Sequence, residues 1–322
     1  MGFFHAMCNS DARLDTKTVI VTGSNAGIGK CTVEDFYKRG ARVIMACRNR
    51  SKAEKSRDDI IQNCHDAGKN LGEIAIVELD LTSFRSIKEC AKKLAAEEQR
   101  INILVNNAGI MFNPEGRTED GYELQFGTNY LGHYLFTLLL LPKLIESAPA
   151  RILNVSSFVH MLHWGRLTLD DLNWKKRRYN PTQSYYQSKV CNILFTKELA
   201  RRLKDANIEG VTVYSLHPGI INTELTQHFD SAYFSGFRWL FSNIGGLFFK
   251  SATQGAQTTI HCAVDENAGK ENGLYYAECA PKKPSWQANN MEDAKSLWDI
   301  SWKMVDLPDD YNIFRGAEDV QT

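Results

Sequence analysis

Apolar residues in this chain fall in short continuous runs, separated by longer stretches where they recur every three or four positions. The runs are Thr18–Thr22, Arg42–Ala46, Ile74–Leu79, Ile103–Asn106, Arg151–Val155, Val211–Leu216 and a short Leu274–Tyr276. Unbroken apolarity of this kind fits strands covered on both faces of a sheet. The intervening stretches Gly29–Arg39, Ser51–Ala67, Ser83–Glu98, Leu124–Ile145, Thr182–Asp205 and Ser251–Val264 carry the helical period. Strand and helix therefore alternate, which predicts βα units around a parallel sheet. No internal repeat, Pro/Gly linker or low-complexity tract breaks the pattern. One α/β domain over residues 16–305 is expected, with tails at 1–15 and 306–322.

The alternation fails over 158–184 and again over 220–250. Long irregular connections inside a compact domain are usually binding loops or lids. The first carries Phe158, Met161, Trp164, Leu169, Leu172 and Trp174; the second carries Phe229, Tyr233, Phe234, Phe237, Trp239, Phe241, Phe248 and Phe249. Such a wall suits a large apolar substrate bearing one polar oxygen, although many of these rings would also serve the core.

Composition narrows the class. The chain has 322 residues, is 43% hydrophobic and 24% charged, and has a formal net charge of zero, so nothing global points to nucleic acid. The eight cysteines are scattered, without CxxC or Cys/His ligand spacing, and read as reduced thiols of a cytoplasmic protein rather than a disulfide framework or metal site. His160 and His163 read as loop histidines at a pocket mouth, since no carboxylate or Cys completes a ligand set. No signal peptide or membrane-spanning stretch is legible. The second irregular segment could still dip into a lipid surface, and Lys175-Lys176-Arg177-Arg178 is either a contact for anionic lipid or a solvated corner.

Chemistry concentrates in three places. Thr22-Gly23-Ser24-Asn25-Ala26-Gly27-Ile28-Gly29 joins a strand to a helix. There Gly23 permits a tight turn, Gly27 close approach to a pyrophosphate and Gly29 close packing of helix on strand, with helix amides left for the phosphates. The second strand ends in Ala46-Cys47-Arg48-Asn49. An arginine there, with no acid, suits a ribose 2′-phosphate and hence NADP(H); Lys30 could assist. Tyr185 and Lys189 stand four apart on a helix face, where an ammonium about 4 Å from a phenol would favour the phenolate by up to ~4 kcal/mol and make it a usable acid/base.

These motifs, with Asn154-Val155-Ser156-Ser157 and their order along the chain, resemble the classical short-chain dehydrogenase/reductase family over roughly residues 15 to 305. The resemblance implies a Rossmann-type doubly wound sheet in the order 3-2-1-4-5-6-7. It implies that Tyr185 exchanges a proton with the substrate oxygen, Ser157 holds that oxygen, Lys189 lowers the tyrosine pKa and bonds the nicotinamide ribose, and Asn129 supports a water. Either Ser156 or Ser157 could face the site; alignment to the motif favours Ser157. Cofactor contacts implied in the same way are Asp80 and Leu81 at the adenine, the Asn107-Ala108-Gly109 lining, and Pro218, Gly219 and Thr223 beside the nicotinamide. Helices carrying Asn129 and Tyr185 form dimer interfaces in many relatives, which makes a homodimer an option.

Val43–Asn49, Gly127–Thr137, Tyr185–Arg201, His217–Leu225 and Gln254–Cys262 are similar to the retinol dehydrogenase group. That likeness implies NADP(H)-dependent interconversion of retinal and retinol. Reduction of steroid or isoprenoid carbonyls is the nearer alternative, and a non-catalytic NADP(H)-binding protein the remoter one. The chain departs from membrane-bound members in lacking a legible N-terminal anchor, and its 158–184 connection is slightly longer.

Overall fold

A computed structural model describes residues 6–65, 68, 70–162, 165–219, 250–308 and 310–315. Thr223, His163, Trp164 and the aromatic residues of 220–249 lie outside the described residues. The elements are β1 Thr18–Thr22, α1 Gly27–Lys38, β2 Arg42–Cys47, α2 Arg50–Asn63, β3 Glu73–Glu78, α3 Phe84–Glu97 and β4 Ile103–Asn106. After these come α4 Leu124–Phe126, a π-turn at Gly127–Leu131, α5 Gly132–Glu146, β5 Ala150–Val155, α6 Pro181–Asp205 and β6 Val211–Leu216. The chain continues through α7 Ala252–Val264, β7 Leu274–Ala277, β8 Ala280–Lys282 and α8 Met291–Met304.

The sheet order is β3-β2-β1-β4-β5-β6-β7-β8. The first seven strands are parallel and reproduce the expected order, while β8 pairs antiparallel with β7. Strand residues alternate between two cores. Val19 and Val21 face one with Val33 and Phe36 of α1, whereas Ile20 faces the other with Leu94 of α3 and Leu135 of α5. Period-two alternation sends each strand's side chains to both faces, so an unbroken apolar run is what a two-sided sheet requires.

The structure differs from the sequence reading in four respects. The expected helix Leu124–Ile145 is interrupted by the π-turn that carries Asn129. The 158–184 connection is not structureless: it holds 3-10 turns at Phe158–Leu162 and Leu169–Asp171, and α6 starts at Pro181 under an Asn180 cap accepting from Gln183 N. The expected tails are bound where described. Leu14 packs in one core, and Leu307 and Ile313 in the other beside α8. Helix α8 and strand β8 were not expected at all.

Candidate active site

The C-terminal ends of β1, β4, β5 and β6 deliver the chemistry-bearing residues to one edge of the sheet. At β1, the glycine turn is locked by contact. Gly23 has φ +61°, and a Cβ there would stand 2.7 Å from Ala108 Cα; at Gly29 it would stand 2.8 Å from Ser24 Cα. Ser24 is buried and donates to Val21 O at 3.0 Å, and Asn25, Gly27 and Ile28 continue the turn half-exposed. Helix α1 begins at Gly27 after Ala26, which supplies no side-chain cap, and its first turn holds no acidic residue. Its first amides are thus left for an anion.

Asn107 braces this turn, donating from Nδ2 to Thr22 O at 2.9 Å. Thr22 Oγ1 in turn accepts from the backbone N–H of Asn107 and of Ala108, both at 2.9 Å. Arg48 is exposed at the end of β2, and Asn49 caps α2 just after it. Lys30 is engaged elsewhere, paired with Asp59 at 2.8 Å. Asp80 follows β3 with Oδ1 accepting from the Thr82 N–H and hydroxyl, and the neighbouring Leu81 is buried. Pro218 is buried and Gly219 has φ +92°, packed beneath the Lys250 stem. These residues fit a dinucleotide: an uncapped helix start, a close-approach turn and a cation at the ribose end.

The acid/base group forms where β5 runs out beside α6. Ser156 turns away, donating to Lys189 O at 2.7 Å. Ser157 is half-exposed at the site, and its hydroxyl lowers the pKa of the Tyr185 phenol. The phenol ring sits in a small apolar cluster with Phe112 and Val159, flanked by Met111, Phe158 and Tyr186. Phe112 meets it edge-on at 5.3 Å between centroids.

Electrostatics here depart from the expectation. Burial pushes the Tyr185 phenol up to about 12, opposed by the Ser157 hydroxyl. Burial also pushes the Lys189 ammonium down to about 8. The ammonium donates to Val155 O at 3.0 Å and lies 5.6 Å from the Tyr185 ring centroid. The phenol is therefore held as a protonated donor at neutral pH rather than as a phenolate. Above these groups the α-carbon of Gly109 is bare: a Cβ would stand 3.4 Å from Asn129 Oδ1 and 3.6 Å from Lys189 Nζ. That open floor suits the ribose of a cofactor.

Asn129 is completely buried on the π-turn. Its Oδ1 accepts from Ile110 N at 2.8 Å, and its Nδ2 donates to Ile110 O at 2.9 Å and to Ser188 Oγ at 3.0 Å. One residue the sequence reading missed completes this frame. His133, four positions on, bonds Asn129 O through Nδ1 at 3.1 Å and Thr22 Oγ1 through Nε2 at 2.9 Å. The carbonyl can only accept, so Nδ1 carries the proton and the Thr22 hydroxyl donates to Nε2. Burial pushes this imidazole down to about 4, which keeps it neutral. The i,i+4 spacing from Asn129 was the available signal. His160, expected at a pocket mouth, is instead fully buried. No group of His, Cys, Asp and Glu able to hold a metal occurs among the described residues.

Comparison with known proteins agrees with this geometry. A family model for short chain dehydrogenase matches residues 17–168. Human retinol dehydrogenase 11 (Homo sapiens) is 43% identical over 304 residues, covering 94% of this chain and 90% of that protein. Retinol dehydrogenase 13 of Mus musculus is 45% identical, covering 93% and 87%. Among solved structures, an uncharacterized protein from Mycobacterium Paratuberculosis superposes with TM-score 0.72 at 30% identity, over 94% of this chain and 97% of that one. The Pseudomonas aeruginosa RhlG/NADP complex shares the fold at TM-score 0.62 and 21% identity, covering 82% and 94%. The chain belongs to the short-chain dehydrogenase/reductase family and is an oxidoreductase related to the retinol dehydrogenases.

Proposed function

We propose that this oxidoreductase uses NADP(H) to interconvert an apolar aldehyde or ketone and its alcohol, with retinal and retinol the first pair to test. The observation that carries the reading is a buried phenol inside an apolar cluster of Phe112 and Val159. A proton donor in such a wall favours a substrate that is apolar around a single oxygen. When bound, the nicotinamide supplies or accepts the hydride. Ser157 fixes the substrate oxygen, Tyr185 gives it the proton, and Lys189 supports the negative charge that develops on the phenol. Reduction is the direction we expect wherever NADPH is the abundant form of the cofactor.

Three things support NADP(H): the exposed Arg48, the absence of an acid at the end of β2, and the NADP or NADPH bound in solved structures of the same fold. Peripheral contact with a lipid surface belongs to the same proposal. Met161 and Leu162 are exposed on the turn after Ser157, and Lys175, Lys176 and Arg178 are exposed further along that connection. No helix among the described residues is long and apolar enough to cross a membrane.

The test is NADPH consumption by purified protein with all-trans-retinal, run beside NADH and beside Tyr185→Phe. Turnover with NADPH, little with NADH, and none in the variant despite retained NADPH binding is the expected result. Tight NADPH binding without retinal turnover would move the search to steroid and isoprenoid carbonyls. Failure there would leave a binding-only protein.

A further inference from the structure

Ser157 is gripped from behind by a side chain that plays no part in the proton transfer. His160, on the 3-10 turn that follows the serine, brings Nδ1 to 2.6 Å from Ser157 O, and its own backbone N–H reaches the same carbonyl at 3.2 Å. The carbonyl can only accept, so Nδ1 carries the proton. The imidazole is fully buried and edge-on to Tyr275 of β7, with centroids 4.9 Å apart. Tyr275 stacks on His217 at 6.0 Å, and His217 Nδ1 accepts the Gly219 N–H at 3.0 Å. One aromatic ring thus lies between two imidazoles, each bonded to the backbone of an active-site segment.

Filling space would not call for this residue. His160 Nε2 has no hydrogen-bond partner among the described residues, and neither has the Tyr275 hydroxyl. A buried unsatisfied polar atom costs about 1–3 kcal/mol, which a leucine of similar size would avoid. The position bears that cost while its other nitrogen holds the serine. Burial lowers the His160 pKa, so the ring stays neutral with its one proton on Nδ1.

We propose that His160 is a positioning residue for Ser157: its Nδ1–H bond to the serine carbonyl fixes the backbone that aims the serine hydroxyl at Tyr185 and at the substrate oxygen. Tyr275 and His217 hold the ring of His160 in the required plane. The inference rests on the carbonyl-reductase reading and refines its geometry. Small misplacements of a reacting group can cost on the order of a hundredfold in rate.

The experiment compares His160→Leu, His160→Gln, His160→Asn and Tyr275→Phe, each screened by circular dichroism and by NADPH binding. The asparagine amide nitrogen falls where Nδ1 stood, whereas the glutamine amide reaches toward Nε2. Loss of about tenfold or more in kcat is expected for Leu and Gln, with KM for the carbonyl and Kd for NADPH held within about twofold. Asn should recover most of the rate, and Tyr275→Phe should stay within about twofold of wild type because it leaves the Nδ1 bond intact. Wild-type kcat in the Leu variant would overturn the proposal. So would equal losses in Asn and Gln, a Tyr275→Phe loss matching that of Leu, or misfolding of every variant at position 160. A wild-type protein inert toward all apolar carbonyls would sink the parent reading along with it.

Discussion

At the scale of single residues, burial sets the protonation states that matter. Lys189 is almost wholly buried, and its pKa near 8 records the cost of keeping its charge out of water. Its ordinary value is 10.5, and the depressed folded value places the cost on the native state at every pH below about 8. As pH rises from about 8 toward 10.5 the native lysine sheds its proton first, so that cost disappears and stability rises. Lys189→Met should therefore stabilise the cofactor-free protein at pH 7, by at most ~3 kcal/mol, while abolishing turnover. Melting curves at pH 7 and pH 10 check it, since the gain should shrink at the higher pH. The same ionisation should make kcat/KM for reduction fall as pH passes about 8. Arg48→Ala should raise KM for NADPH about tenfold and leave NADH nearly untouched, because only the former carries a 2′-phosphate. Ser157, Tyr185 and Lys189 were all legible in the sequence. The direction of the Tyr185 shift was not, because spacing along a helix shows which groups share a face but not how deeply they are buried.

At the scale of elements, a buried carboxylate organises the join between the π-turn and α6. Glu123 accepts from the N–H of Gln125 at 2.9 Å and of Phe126 at 2.7 Å, capping α4. It also accepts from Ser184 Oγ at 2.6 Å and Tyr179 OH at 3.2 Å, tying that cap to the start of the helix that presents Tyr185. Glu123→Ala should lower the unfolding free energy by about 3 kcal/mol or more, since several buried donors lose their acceptor at once. Chemical denaturation measures it. Most elements could be read directly, with β1, β4 and β6 matching to the residue. The π-turn could not, because one extra residue in a helical turn leaves the apolar period almost unchanged. Helix α8 was missed although Ala294, Leu297, Trp298 and Ser301 form a buried i, i+3, i+4, i+7 stripe. It follows the last parallel strand, beyond the alternation that guided the reading of the rest.

For the whole molecule, α8 decides which surfaces remain open. It lies across α5 and α6, with Trp298 against Tyr134 and Phe195, and the Tyr130 hydroxyl meets Ser301 Oγ at 2.8 Å. Arg202 of α6 stacks on Trp298 at 4.4 Å and pairs with Asp299. Helix α6 is thereby buried along nearly its whole length within one chain. Among the described residues, the helices carrying Asn129 and Tyr185 keep no broad apolar face for a second copy, and the expected outcome of sedimentation is the mass of a single chain. A stable dimer would mean that another face associates. The open borders of the sheet are guarded as well: β3 exposes Glu73 and Glu78, and β8 places Pro281 and Lys282 outermost. Beneath β8 lies Leu-Tyr-Tyr-Ala, a β-prone backbone that would otherwise present its unpaired amides to any passing strand. The three-residue ribbon therefore acts as a selvedge on the weave. Pro281→Val with Lys282→Val, which leaves α8 in place, should first betray itself as turbidity in a concentrated stock.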